Sequence, residues 1–175
     1  MLRLISTLGL ILTLCASHGT AMAQTTQGTL PADETWTGSV TLVGDLTIPA
    51  GRTLTLAAGA QVRFASGDTM GAGKSTSQIE LIVEGTLKIA GSAASPVSLA
   101  PAAGGTLHSI QIVSGGTANI SYGDLRGAQH PLDNRGTLTA AHSVFADHAR
   151  GAITLQGSTA TIQTSQFTGN CKVST

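Results

Sequence analysis

The sequence predicts an all-β chain wound as a right-handed parallel β-helix, a solenoid of short coils. Three observations carry that prediction. A short phrase recurs as TANISYGDL at Thr117–Leu125, TLTAAHSVF at Thr137–Phe145 and TATIQTSQF at Thr159–Phe167, so the chain returns to one environment about every 20–22 residues. Apolar residues alternate with polar ones at Leu46/Ile48, Leu54/Leu56, Val62/Phe64, Ile79/Leu81/Val83, Leu87/Ile89, Val97/Leu99, Ile110/Ile112 and Ile153/Leu155, which is the period of a half-buried strand. Turn signals such as Pro49-Ala50-Gly51, Ala58-Gly59, Gly104-Gly105 and Gly115-Gly116 separate these runs, and no stretch after Ala23 sustains a helical period.

In chain order, residues 1–23 read as a secretory signal peptide. Arg3 supplies the positive start, Leu8, Leu10, Ile11, Leu12 and Leu14 a short apolar core, and Ala21-Met22-Ala23 a small-x-small cleavage site before Gln24. The apolar run falls short of the ~20 residues of a spanning helix. Cys15 suggests a lipoprotein, but Leu14 is large where a small residue precedes a lipid-modified Cys. The chain is therefore expected to be exported to the periplasm, the cell surface or the medium, with no membrane span in the mature part, 24–175.

The full chain carries 9 Lys+Arg against 9 Asp+Glu, and loss of Arg3 leaves the mature part nearly neutral. Such a surface offers no electrostatic reason to bind nucleic acid or anionic lipid. Of 2 cysteines only Cys171 survives processing, so no internal disulfide forms even in an oxidising compartment.

The strands join into coils because identical phrases one coil apart are what parallel stacking produces, and the right hand follows the general crossover preference. Aligning the copies predicts interior columns Ala118/Leu138/Ala160, Ile120/Ala140/Ile162 and Leu125/Phe145/Phe167. Gly123/Ser143/Ser165 would sit at a bend, where a hydroxyl can bond a neighbouring backbone group. Thr53–Leu56 and Thr86–Ile89 are equivalent strands separated by more than one coil length, and the excess falls in Ala65–Gln78, a Gly- and Ser-rich loop expected to protrude.

GDLTIPAGRTLTLAAGAQVRF at Gly44–Phe64, LIVEGTLKIAGSAASPVSL at Leu81–Leu99 and ISYGDLRGA at Ile120–Ala128 resemble the opening coils of bacterial secreted right-handed β-helix proteins of the pectin-lyase-like fold. That resemblance implies architecture and leaves activity open, because the fold hosts polysaccharide lyases, hydrolases and adhesins. Gly151-Ala152-Ile153 and Phe167-Thr168-Gly169-Asn170 are also similar to the GGA[IL] and FxxN repeats of polymorphic outer-membrane proteins. The preceding coil departs from that pattern, ending Phe145-Ala146-Asp147-His148.

Several motifs invite chemistry. Gly71-Ala72-Gly73-Lys74-Ser75-Thr76 looks like a phosphate loop, but Asp68 stands where that motif needs Gly and no apolar helix follows. Acidic residues are scattered as Asp33-Glu34, Asp45, Asp68, Glu80, Glu84, Asp124, Asp133 and Asp147, without the dense cluster that glycan cleavage wants. Stacking gathers one candidate catalytic patch, Tyr122/Asp124/His142, with His142 as general base and Asp124 orienting it; the plainer reading is an ordinary polar outward column. His108, His130, His142 and His148 share no metal-ligand spacing, so no metal and no cofactor is expected. Thr35/Thr37, Thr53/Thr55, Thr137/Thr139 and Thr159/Thr161 suggest a hydroxyl array of the kind some ice-binding solenoids use, interrupted by Lys88 and Asn119.

After Asn170 only Cys171–Thr175 follow, with no capping element, so the expectation is either a fragment or an open coil end that pairs with a partner, assisted by Cys171. The functional expectation is an exported β-helix with a non-catalytic surface, binding or adhesin-like role toward a surface glycan or protein ligand. The alternatives are a polysaccharide-active enzyme or its remnant and, as a minor one, an ice-binding solenoid.

Overall fold

A computed structural model of the protein describes residues 24–171. Residues 1–23, read above as a signal peptide, and the last four residues lie outside them. Three strands per coil and six coils generate three parallel sheets of six strands each. Sheet A stacks β1 (Gly28–Thr29), β4 (Leu46–Ile48), β7 (Ile79–Val83), β10 (Leu107–Ile112), β13 (Ala128–Asn134) and β16 (Ile153–Leu155). Sheet B stacks β2 (Glu34–Trp36), β5 (Thr53–Ala57), β8 (Thr86–Ala90), β11 (Thr117–Ser121), β14 (Thr137–Ala141) and β17 (Thr159–Gln163). Sheet C stacks β3 (Ser39–Leu42), β6 (Gln61–Phe64), β9 (Val97–Pro101), β12 (Gly123–Arg126), β15 (Val144–Ala146) and β18 (Gln166–Thr168). The chain is a parallel β-helix, and every run of alternation read from the sequence is a strand.

Like stacks on like. Leu138 pairs with Ala118 and Ala160, Ala140 with Ile120 and Ile162, and Phe145 with Leu125 and Phe167, which are the columns the repeat predicts. Phe145 and Phe167 stack with ring centroids 5.1 Å apart. Thr53 pairs directly with Thr86, so the long spacing between them is one coil plus the loop. Burying each large apolar side chain in these columns contributes roughly 1.5–3 kcal/mol.

The bend works as expected. Ser143 Oγ accepts from the Gly123 amide at 3.1 Å and donates to the Ala141 carbonyl at 2.9 Å; Ser165 repeats this toward Ser143 N and Gln163 O. Gly123 is required here, because a Cβ would lie 2.8 Å from Ile120 Cγ2. Just before each bend residue, Tyr122, His142 and Thr164 adopt left-handed φ values of 50°, 53° and 47°. The corner is thus turned by side-chain-bearing residues, with Tyr122 N–H and His142 N–H bonded to the next coil.

Four strands escaped the sequence reading. β1, β2 and β3 form the first coil, where Glu34 takes a place in an interior column opposite Leu54 and accepts from Thr25 and from Trp36 Nε1. Burial opposes ionisation of Glu34, but these hydrogen bonds outweigh it and its pKa lies below the ordinary value. The fourth is β13, whose strict alternation is broken by a bulge. Segment 65–78 is an irregular loop, as expected, but it does not simply protrude: it is fastened back onto sheet A, as described below. At the other end, Leu155, Ile162 and Phe167 of the sixth coil are exposed.

Candidate functional site

Outward residues of sheet A stack into polar columns. Asp45, just before β4, accepts from the Glu80 amide, and register places Glu80 beside Ser109 and Ser109 beside His130; one step along lies the column Thr47, Ile82, Gln111, Asp133 and Thr154. Two register shifts disturb this face. Between β7 and β10 the pairing steps from Leu107 to Ser109, leaving His108 as the extra residue, and between β10 and β13 it steps from His130 to Leu132, leaving Pro131 extra. Bulges of this sort re-aim side chains, and Pro tolerates them because it has no ladder hydrogen to donate. The result is a cleft of about 280 Å³ lined by Lys74, His108, Ser109, His130, Asp133, Thr154 and Gln156.

The ionisable groups of the cleft are engaged with one another. Lys74 Nζ reaches across to pair with Asp133, which also lies 3.9 Å from Arg135. His108 Nδ1 faces the Oε1 atoms of Gln78 and Gln129 at 3.1 and 3.0 Å, and its Nε2 lies 3.6 Å from Glu80 Oε1. Both ring nitrogens of His108 thus face side-chain oxygens, with Glu80 Oε1 just beyond hydrogen-bond distance. The His108 and His130 rings are 5.3 Å apart. Burial, then His108 and Arg150, hold the His130 pKa below its ordinary value against the opposing pull of Asp133. These surroundings favour the neutral form of His130.

Beneath the loop lies a second group of carboxylates. Asp45 Oδ1 accepts from Glu80 N at 2.6 Å, Glu80 Oε2 from Lys74 N at 2.6 Å, and Asp68 Oδ1 from Asp45 N at 3.2 Å. Glu80 is fully buried and Asp45 is 3% exposed. Burial, with Asp68 and Glu80 nearby, pushes the Asp45 pKa up to about 6 despite the Glu80 amide. Among the described residues no group of His, Cys, Asp and Glu has the geometry to hold a metal ion.

The patch singled out from sequence is only partly assembled. Tyr122 and His142 stack, centroids 4.8 Å apart and 12° from parallel. Asp124 hydrogen-bonds Arg126 Nε at 2.8 Å, and Arg126 also reaches Asp147, so the carboxylate is engaged by Arg126. On sheet B, Thr53, Thr86, Thr117, Thr137 and Thr159 form an unbroken column, while Lys88 and Asn119 interrupt the column of Thr35, Thr55, Thr139 and Thr161. His148 is buried and structural: its Nδ1 accepts from Ala128 N at 3.1 Å.

Sequence reasoning missed the sheet A cleft because its members come from Lys74 in the loop, two bulged strands and the sixth coil. Compared with known proteins, the chain matches no family model, no curated protein and no solved structure. Among the described residues no helix is long and apolar enough to cross a membrane.

Proposed function

We propose that the protein is an exported β-helix that works by binding, and that its ligand is a glycan chain laid in the sheet A cleft. The observation that carries this reading is the cleft itself: a concave site lined by polar and ionisable side chains, in which Lys74 is paired with Asp133 and His108 faces Glu80. Ser109, Thr154 and Gln156 offer neutral hydrogen-bonding groups, and Arg150 lies close enough to influence His130. No Trp, Tyr or Phe lines the cleft, so recognition rests on hydrogen bonds. Among the described residues Arg150 has no ion-pair partner.

A glycan-active enzyme is the second reading, favoured by one feature: His130, whose pKa is held below its ordinary value, shares the cleft with Asp133, a base beside a carboxylate. A screen of the mature chain against acidic and neutral glycans, read for both binding and turnover, separates the two. The binding reading expects saturable retention without new reducing or unsaturated ends, weakened at least several-fold by Arg150→Ala. Turnover that disappears in His130→Ala would replace it with the enzyme reading, and no retention on any glycan would defeat both.

A further inference from the structure

We propose that loop 65–78 is a carboxyl-latched strap over the sheet A cleft, fastened when the Asp45–Asp68–Glu80 group holds a proton and loosened when all three are ionised. The strap follows β6 and leads into β7. Its fastenings are specific. Asp68, in the strap, holds the Asp45 amide; Asp45 holds the Glu80 amide; Glu80 in turn holds the amide of Lys74, back in the strap. Gly73 approaches so closely that a Cβ there would lie 1.7 Å from Glu80 Oε2. Thr69 adds hydrogen bonds to Gln27 and to the Val43 carbonyl.

Each carboxylate in this cycle spends one oxygen on an amide and leaves the other, Asp45 Oδ2, Asp68 Oδ2 and Glu80 Oε1, buried without a hydrogen-bond donor. Three adjacent carboxylates, two of them buried, with three buried and orphaned oxygens are costly, and one proton relieves both problems by removing a charge and supplying a donor. The charged groups facing the latch are Asp68 and Lys74 from the strap, Glu80 from β7 and His108 from β10. Asp133 of β13 holds the Lys74 ammonium, with His130 beyond His108. The raised Asp45 pKa agrees with the protonated latch. Because Lys74 both closes the cycle and bridges the cleft to Asp133, loosening the strap uncovers Asp133. That consequence for ligand access rests on the binding reading above; the latch itself does not.

Amide hydrogen exchange of 65–78 in the mature chain, corrected for the intrinsic pH dependence, tests the latch without any ligand. An Asp45 pKa near 6 in the fastened state and an ordinary one in the loosened state predicts that strap opening becomes about tenfold more favourable between about pH 5 and pH 7.5. Asp45→Asn, which keeps an acceptor and adds a permanent donor, is expected to abolish this dependence. If that variant fails to fold, Asp68→Asn is expected to shrink it. Equal protection at both pH values in the natural chain, or an undiminished dependence in a folded variant, would overturn the proposal. A glycan screen at both pH values is read separately, so a failure to bind leaves the latch result standing.

Discussion

At the scale of single residues, the turn after each sheet C strand shows how different side chains perform one task. Asn170 Oδ1 accepts from His148 N at 3.2 Å while its Nδ2 donates to the Phe145 carbonyl at 3.0 Å; one coil earlier, His148 Nδ1 accepts from Ala128 N. The His that breaks the FxxN pattern therefore does the work of the Asn. Burial pushes its pKa down to about 4. Above pH 6.5 it is neutral folded or unfolded, and as pH falls from there to about 4 the unfolded chain binds a proton that the folded one refuses, so stability is lost. Asp45 acts oppositely: its raised pKa contributes stability that is fully present below 3.8 and lost as pH rises through about 6. Each effect is worth at most about 3 kcal/mol. In urea unfolding between about pH 4 and 6.5, Asp45→Asn should leave a midpoint that rises with pH, and His148→Asn one that falls. Identical slopes in both variants would show that neither group is assigned correctly.

At the scale of elements, what was legible depended on how strictly a strand keeps its period. β5, β8, β11, β14 and β17 alternate cleanly and stack without register shifts, so the repeat alone placed their interior residues. β10 and β13 carry the bulges, and there the alternation fails locally at His108 and Pro131; these are also the strands that build the cleft. The latch was illegible for a different reason. Asp45, Asp68 and Glu80 are far apart in sequence, and only a loop folded back on the sheet joins them. Between sheets A and B the turns are tight enough for glycine to be decisive: a Cβ on Gly136 would lie 2.3 Å from the Gly116 carbonyl oxygen and 2.6 Å from that of Val113. Gly136→Ala should therefore cost about 1–3 kcal/mol, as overpacking against an unyielding backbone does. Unfolding midpoints unchanged by that substitution would mean the turn can widen.

At the scale of the whole molecule, burial is uneven along the axis. Phe145 is fully buried between its neighbours, whereas Phe167, next in the same stack, is 48% exposed, as are Leu155 and Ile162 in comparable measure. Nearest-neighbour stacking makes stability a sum over coils, so the sixth coil should open first. Phe145→Ala is expected to cost about 3–5 kcal/mol and Phe167→Ala less than half as much. Equal costs in thermal or urea unfolding would contradict this gradient. Along the same axis the three outer faces differ in kind: sheet B presents hydroxyls, its corner with sheet C the Tyr122–His142 stack, and sheet A the strapped polar cleft. The binding account assigns function to the last of these. Its most direct test is a hydrogen-exchange or NMR footprint of the mature chain with a glycan retained in the screen. The account predicts protection confined to the strap, β10, β13 and the start of the sixth coil; a footprint on the threonine column of sheet B, or around Tyr122 and His142, would contradict it.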